Sequence, residues 1–227
     1  MTPHRAGFEG RFDAIGWQLV RAVMRAKPLL RRGEPRLLDL GMGRGRDLIY
    51  FARRGFRVLG VDRRPEGIEK ARRRAARLRV SLRTQVGDLR RWRAPGAFDV
   101  VFSSMSLNHL PPSCRGRRLA HFQAHTAPGG IHAVNVFVTT PHAPPPPDLD
   151  PGALAFRPGE LVRLYLGWEL IDFGTREYAC GFGGSPHRHR VEFVVARKPA
   201  RSSASAEGSG SARSPSRVRR SPRPNRD

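Results

Sequence analysis

At 227 residues the chain is long enough for one α/β domain with a good core, and no apolar run approaches the ~20 residues of a membrane span. Two cysteines, Cys114 and Cys180, exclude a disulfide framework and a cysteine-based metal cluster, so no metal site is expected. The net charge of +23, from 42 basic and 19 acidic residues, raises a polyanion partner as a question.

The N-terminus, Met1-Thr2-Pro3-His4-Arg5, has no apolar signal core, so a soluble cytoplasmic protein without membrane contact is expected. Phe12, Ile15, Leu19, Val23 and Ala26 recur at helical spacing and predict an amphipathic helix over about 11–27. Pro28 and Pro35 bracket the entry into a first strand at about 36–40. A helix of about 45–54 follows, with Gly55 as its cap, then a second strand at about 56–61. Pro65 opens the next helix, in which Ile68, Ala71, Ala75 and Leu78 form one apolar face. Strands are expected over 80–86 and 98–104, and a helix over about 112–126 that Pro128-Gly129-Gly130 stops.

Ile131 to Val138 reads as a fifth strand, followed by an extended proline-rich loop from Pro141 to Pro151 that is either a linker or a cover over a ligand crevice. Pro158 to Leu166 reads as a short helix, and 168–178 with 190–196 as an antiparallel hairpin at the sheet edge. Strands alternating with helices argue for a doubly wound, mostly parallel α/β sheet, seven-stranded with the hairpin included. The domain is expected to occupy 1–199. From about Ala200 Ser, Arg, Pro and Gly dominate, so 200–227 is expected to be a disordered basic tail.

Of the basic residues 39 are arginine, and only Lys27, Lys70 and Lys198 are lysine. Arg, Ala, Pro and Gly are all abundant, as a GC-rich coding sequence produces without selection for binding. No aromatic-interleaved basic motif and no zinc-finger spacing points to nucleic-acid recognition. The tail, which holds seven arginines against Glu207 and Asp227, is left with nonspecific anion or nucleic-acid contact, or solubility alone, and no part in catalysis.

The chemistry is concentrated in Leu37 to Asp47. A short apolar run ends in glycines at 41, 43 and 45, then a helical pattern begins, as where a strand delivers its backbone to a ligand at a helix N-terminus. Asp62, closing the second strand, can accept both hydroxyls of a ribose. The dinucleotide fingerprint would need glycine at 46, where Arg46 stands, and no Gly-Lys-Ser or Gly-Lys-Thr of a P-loop follows.

Leu-Asp-Leu-Gly-Met-Gly-Arg-Gly-Arg-Asp (38–47), Gly-Val-Asp (60–62), Gly-Asp-Leu (87–89) and Phe-Asp-Val-Val-Phe-Ser (98–103) resemble the successive motifs of class I S-adenosylmethionine-dependent methyltransferases. Within them the chain resembles the TehB-like tellurite-resistance family, through Phe156-Arg157-Pro158-Gly159-Glu160-Leu161, Gly167-Trp168-Glu169 and the closing Val-Val-Ala-Arg-Lys. The resemblance covers about 36–198. It implies a Rossmann-like fold, S-adenosyl-L-methionine as cofactor and a small-molecule methyl acceptor, with tellurite or selenite oxyanions leading. The alternatives are a thiol or other organic acceptor and, from a different class, a methyltransferase-fold protein associated with nucleic acid through its arginines and tail.

By the same resemblance Asp39, Gly41, Gly43 and Gly45 lie under the methionine moiety, Asp62 holds the ribose with Arg63 beside it, and Asp88 and Leu89 meet the adenine. Ser103 and Ser104 line the sulfonium side. Arg46 either pairs with the cofactor carboxylate or anionic substrate, or lies on the surface. His109 either faces the acceptor or packs over the cofactor. Met42 stands where cysteine is usual, and the family's His-Arg pair is replaced by Ala179-Cys180-Gly181-Phe182. His187 and Arg188, a few residues on, become the acceptor-side candidates. A monomer or homodimer is expected.

Overall fold

The computed structural model describes residues 14–30, 33–139, 153–180 and 187–200. Its centre is a seven-stranded sheet built from β1 (Arg36–Leu40), β2 (Arg57–Asp62), β3 (Arg83–Val86), β4 (Phe98–Ser104), β5 (Thr126–Phe137), β6 (Glu169–Cys180) and β7 (His187–Arg197). The order is β3-β2-β1-β4-β5-β7-β6, with the first five strands parallel and β7 antiparallel to both neighbours. The expected doubly wound, Rossmann-like sheet with a C-terminal hairpin is what forms.

Two apolar layers explain the winding. Helices α1 (Ala14–Ala26), α2 (Arg46–Ala52) and α3 (Pro65–Arg77) cover one face, where Leu19, Val23, Leu48, Phe51, Ile68 and Ala71 meet Leu37, Val58, Val100 and Phe102. Helix α4 (Pro112–Ala124) and the short α5 (Glu160–Arg163) cover the other, where Leu119, Phe122, Leu161 and Tyr165 meet Leu38, Leu59, Val101 and Val134. Central strands buried on both faces lose the polar alternation of an exposed sheet, which is why they read as apolar runs.

Several boundaries differ from expectation for local reasons. Leu78 follows α3 as its C-cap and is exposed, so it does not extend the helix's apolar face. Pro128-Gly129-Gly130 does not stop a helix, because α4 ends at Ala124 and β5 already runs from Thr126. That tripeptide is a bulge within β5: Phe98 pairs Thr126 while Val100 pairs Ile131. Gly129 donates to the Lys198 carbonyl and Lys198 to the Gly130 carbonyl, so the bulge is tied to the end of β7. The expected short helix at 158–166 shrinks to α5, and the hairpin strands extend to 180 and back to 187. The first residues of the predicted N-terminal helix, the proline-rich loop and nearly all of the basic tail lie outside the described residues. Among the described residues no helix is long and apolar enough to cross a membrane.

One polar cluster sits inside the second layer. Thr126 Oγ1 donates to the Phe122 carbonyl at 2.8 Å, so it accepts from His132 Nε2–H at 2.7 Å, and His132 Nδ1 accepts from the Tyr165 hydroxyl at 2.9 Å. A second proton, on His132 Nδ1, would take away the acceptor that the Tyr165 hydroxyl now uses. Burial, with Lys198 adding to it, pushes the His132 pKa from 6.5 down to about 3. The unfolded chain therefore binds the proton first. Stability from this cluster is complete above pH 6.5 and is lost as pH falls toward about 3. Urea unfolding followed across that window should show a shallower acid dependence in His132→Gln than in the wild type.

Candidate functional site

At the carboxyl edge of the parallel strands the order reverses between β1 and β4, and a crevice opens there. It has a volume of about 420 Å³ and is walled by Gly41 and Gly43 after β1, Asp62 to Arg64 after β2, Gly87 to Arg90 after β3, and Ser104 to Ser106 with His109 and Leu110 after β4. That size suits a small-molecule or cofactor pocket.

The end of β2 grips the glycine turn. Asp62 Oδ2 accepts the Gly43 amide at 2.8 Å and Oδ1 accepts the Arg64 amide at 2.9 Å. The first bond joins two adjacent crossovers, and the second bends the chain into Pro65 and helix α3. Each carboxylate oxygen keeps a further lone pair for a ligand.

The three glycines of the motif do different jobs. Gly43 has φ +53° and lines the crevice, and a Cβ there would meet nothing within 4 Å. Gly45, at φ +71°, caps α2, and a Cβ there would lie 2.6 Å from the Ala71 Cβ. Its bareness lets α2 and α3 pack, and it is not among the crevice-lining residues. Gly41 lines the crevice but backs onto Ser106. Met42 is buried beneath the turn, with its sulfur over Gly60, where a Cβ would collide with it.

Of the other residues singled out from sequence, Asp62, Arg63, Asp88, Leu89, Ser104 and His109 line the crevice with Gly41 and Gly43. Asp39 is buried behind the turn. Desolvation first, then the Asp47 and Asp62 carboxylates, raises its pKa well above the usual carboxylate range, with Arg46 opposing. Arg46 is part-buried and bonds Asp47 through Nε at 3.0 Å. Ser103 is fully buried and meets Ser106 Oγ at 2.6 Å, while Ser106 itself donates to the Leu40 carbonyl. Ser103 is thus a buttress of the β1–β4 junction. The Asp88 carboxylate is gripped by Arg90 through Nε at 2.8 Å and Nη2 at 2.6 Å, which lowers its pKa.

His187 begins β7 opposite Cys180, at the same end of the sheet as the crevice. Arg188 is exposed and pairs with Glu177 at 3.2 Å. Its neighbour His189 is buried, its ring 4.8 Å from that of Phe137.

Sequence spacing missed the residues that hold the crevice's far wall. Asn108 is fully buried; its Nδ2 donates to the Phe137 and Leu154 carbonyls at 3.1 Å each, and its Oδ1 accepts the Phe137 amide at 3.0 Å. It thereby fixes the short 3-10 turn Leu107–His109 that carries His109. Met105 adopts φ +58°, with its amide on Asn135 Oδ1 at 2.9 Å. Arg118 of α4 reaches back to the Leu89 carbonyl at 2.6 Å and to that of Trp92, holding the loop of Asp88 and Leu89. The available signal was a polar residue between leucines after β4, and arginines on an otherwise apolar helix face.

Two glycine variants separate packing from access. Gly45→Ala should cost about 2–4 kcal/mol, combining the left-handed φ with a core clash. Gly43→Ala should cost only ~1 kcal/mol, for φ alone. Urea unfolding of the two proteins side by side measures the difference.

Residues 37–130 match the family of the methyltransferase domain. Hemagglutinin 1 of Eikenella corrodens is 27% identical over 165 residues, covering 71% of this chain and 54% of that protein. The Probable S-adenosyl-L-methionine-dependent methyltransferase TehB of Haemophilus influenzae is 23% identical over 138 residues, covering 61% of this chain and 47% of that protein. The chain thus spans about half the length of the curated relatives it matches. The crystal structure of TehB from Haemophilus influenzae superposes with a TM-score of 0.71 at 22% identity, covering 82% of this chain and 63% of that one. This strand order, the matched methyltransferase domain and these relatives give the chain the class I S-adenosylmethionine-dependent methyltransferase fold and make it similar to TehB.

Proposed function

We propose that the chain transfers the methyl group of S-adenosylmethionine to a small-molecule acceptor. The observation that carries this reading is the convergence of the bare Gly43 turn, Asp62 and Asp88 on one crevice at the switch point of the sheet. The fit is electrostatic as well as steric. The turn has open space where a side chain would stand, and Asp39, Asp47 and Asp62 crowd negative charge behind it. A ligand bearing an ammonium and a sulfonium relieves that crowding.

In this reading the Asp39–Gly45 segment lies under the methionine moiety and Asp62 accepts the ribose hydroxyls through its remaining lone pairs. Arg63 flanks the ribose, and Asp88 shares its carboxylate between Arg90 and the adenine amine, over Leu89. Ser104 lines the sulfonium side while Ser103 supports it from behind. Bound S-adenosylmethionine supplies a methyl carbon with a built-in leaving group. The protein's main task is then alignment, worth up to ~7–11 kcal/mol in ideal intramolecular cases.

The TehB likeness favours an oxyanion acceptor such as tellurite or selenite. Such an anion brings its own lone pairs, so cationic side chains to hold it suffice, with His187 and Arg188 as candidates at this end of the sheet. A thiol or other small organic acceptor is the second reading. It is favoured by His109 on the crevice wall, since imidazole has a pKa suited to removing a proton near neutrality.

Calorimetry with S-adenosylmethionine on the wild type, Asp62→Ala and Gly43→Ala tests the cofactor assignment. Both variants should bind at least about tenfold more weakly, a loss of ~1.4 kcal/mol. Unchanged affinity in Asp62→Ala, or no binding by the wild type, would refute it. A panel of tellurite, selenite and thiols then separates the acceptors.

Asp39 adds a pH signature. Its carboxyl keeps a proton to higher pH than an ordinary aspartate, and a cation beside it favours the ionised form. Cofactor binding should release protons and tighten as pH rises through that titration. Calorimetry in buffers of different ionisation enthalpy reads the release, which should vanish in Asp39→Asn.

A further inference from the structure

The opposite, amino-terminal edge of the sheet carries a second cleft, of about 600 Å³. Arg53 after α2, Arg57 at the start of β2, Arg79 after α3 and Arg83 at the start of β3 line it, facing Glu34 as the one acid among its described lining residues. All four arginines are exposed, and no hydrogen bond or ion pair engages their guanidiniums among the described residues. Arg83 pairs with Leu59, two positions beyond Arg57, so these two side chains leave the same face of the sheet.

The backbone adds an independent observation. Helix α2 ends in a Schellman turn: Gly55 donates to the Ala52 carbonyl and Phe56 to that of Phe51, with Gly55 at φ +77°. Helix α3 ends in the same pattern, Arg79 donating to Ala76 and Val80 to Ala75, but the left-handed position is Arg79, at φ +54°. Both turns border this cleft. Glycine serves the first at no steric cost, whereas arginine at the second costs about 1 kcal/mol. Attraction to the carbonyl ends of helices accounts for Arg53 and Arg79 in part. It does not account for Arg57 and Arg83 on strands, nor for arginine where the turn calls for glycine.

We propose that this cleft binds the phosphodiester backbone of a nucleic acid. Unpaired guanidiniums offer forked donors that match phosphate oxygens. Four of them, from four separate elements around an open cleft, fit a chain of phosphates better than a single ion. Phe56, the aromatic lining residue, is buried, so bases find no ring to stack on there. Contact is therefore to the backbone and independent of sequence. The cleft lies at the other end of the strands from the methyltransferase crevice, and the inference does not depend on the acceptor chosen there.

The test is fluorescence anisotropy of a short labelled single-stranded DNA with the full chain, titrated from about 0.05 to 0.2 M salt. Arg57→Gln/Arg83→Gln should lower the slope of log affinity against log salt by about 1.4. Arg21→Gln/Arg25→Gln, which removes the same charge from exposed positions on α1, should leave that slope unchanged. Arg79→Gly should raise Tm by about 2 °C while weakening DNA binding several-fold, so its loss of binding is not a loss of fold. S-adenosylmethionine affinity should stay at the wild-type value in all three. Absence of DNA binding by the wild type, cleft variants that bind like it, or an equal fall in slope for the α1 pair would overturn the proposal.

Discussion

The hydrogen bond from the Gly43 amide to the Asp62 carboxylate ties two neighbouring crossovers of the sheet into one wall. Without it the turn after β1 and the bend after β2 would be independent loops at the sheet's carboxyl edge. With it the left-handed glycine turn is held against a carboxylate whose other oxygen shapes the entry to α3. The packing of α2 on α3 at Gly45, and Met42 over Gly60, sit directly beneath that wall. A buried acid so placed carries its cost in the raised pKa of Asp39, and a cationic ligand is what would lower it.

The second constraint is that the far wall of the crevice is made from segments distant in sequence. Asn108 and Asn135 satisfy backbone groups of the turn after β4, of β5 and of the chain at Leu154, and Arg118 does the same for the loop after β3. Buried polar side chains that are fully bonded hold loops in place with little freedom. Glu192 plays the same part under α5, accepting amides from Gly159, Leu161 and Val162. The arginines divide along similar lines. Arg115 and Arg118 are buried structural ties, whereas Arg53, Arg57, Arg79 and Arg83 stay exposed around one cleft.

Much of the architecture was legible beforehand because it rests on local rules. Apolar runs bounded by turns marked the central strands, and Gly55 marked the end of α2 through the positive φ its turn requires. The same reasoning misjudged Pro128-Gly129-Gly130, since a helix stop and a strand bulge share that composition. Only pairing with Phe98 and Val100 on one side and Lys198 on the other distinguishes them. Leu78 was misassigned because helical period continues on paper beyond the residue where the backbone turns.

By itself the sequence determined the order and type of the elements, the glycine turn, and Asp62 at the end of β2. Side-chain period and turn chemistry are properties of neighbouring residues. Tertiary structure alone decided which of the motif residues face the crevice. Gly45 turned to helix packing, Arg46 to Asp47, Ser103 to Ser106, and Arg188 to Glu177. It also decided that β7 lies inside β6, and that four arginines scattered over thirty-one positions of the chain meet at one cleft. Such facts depend on which distant surfaces pack together, and no spacing along the chain encodes that approach.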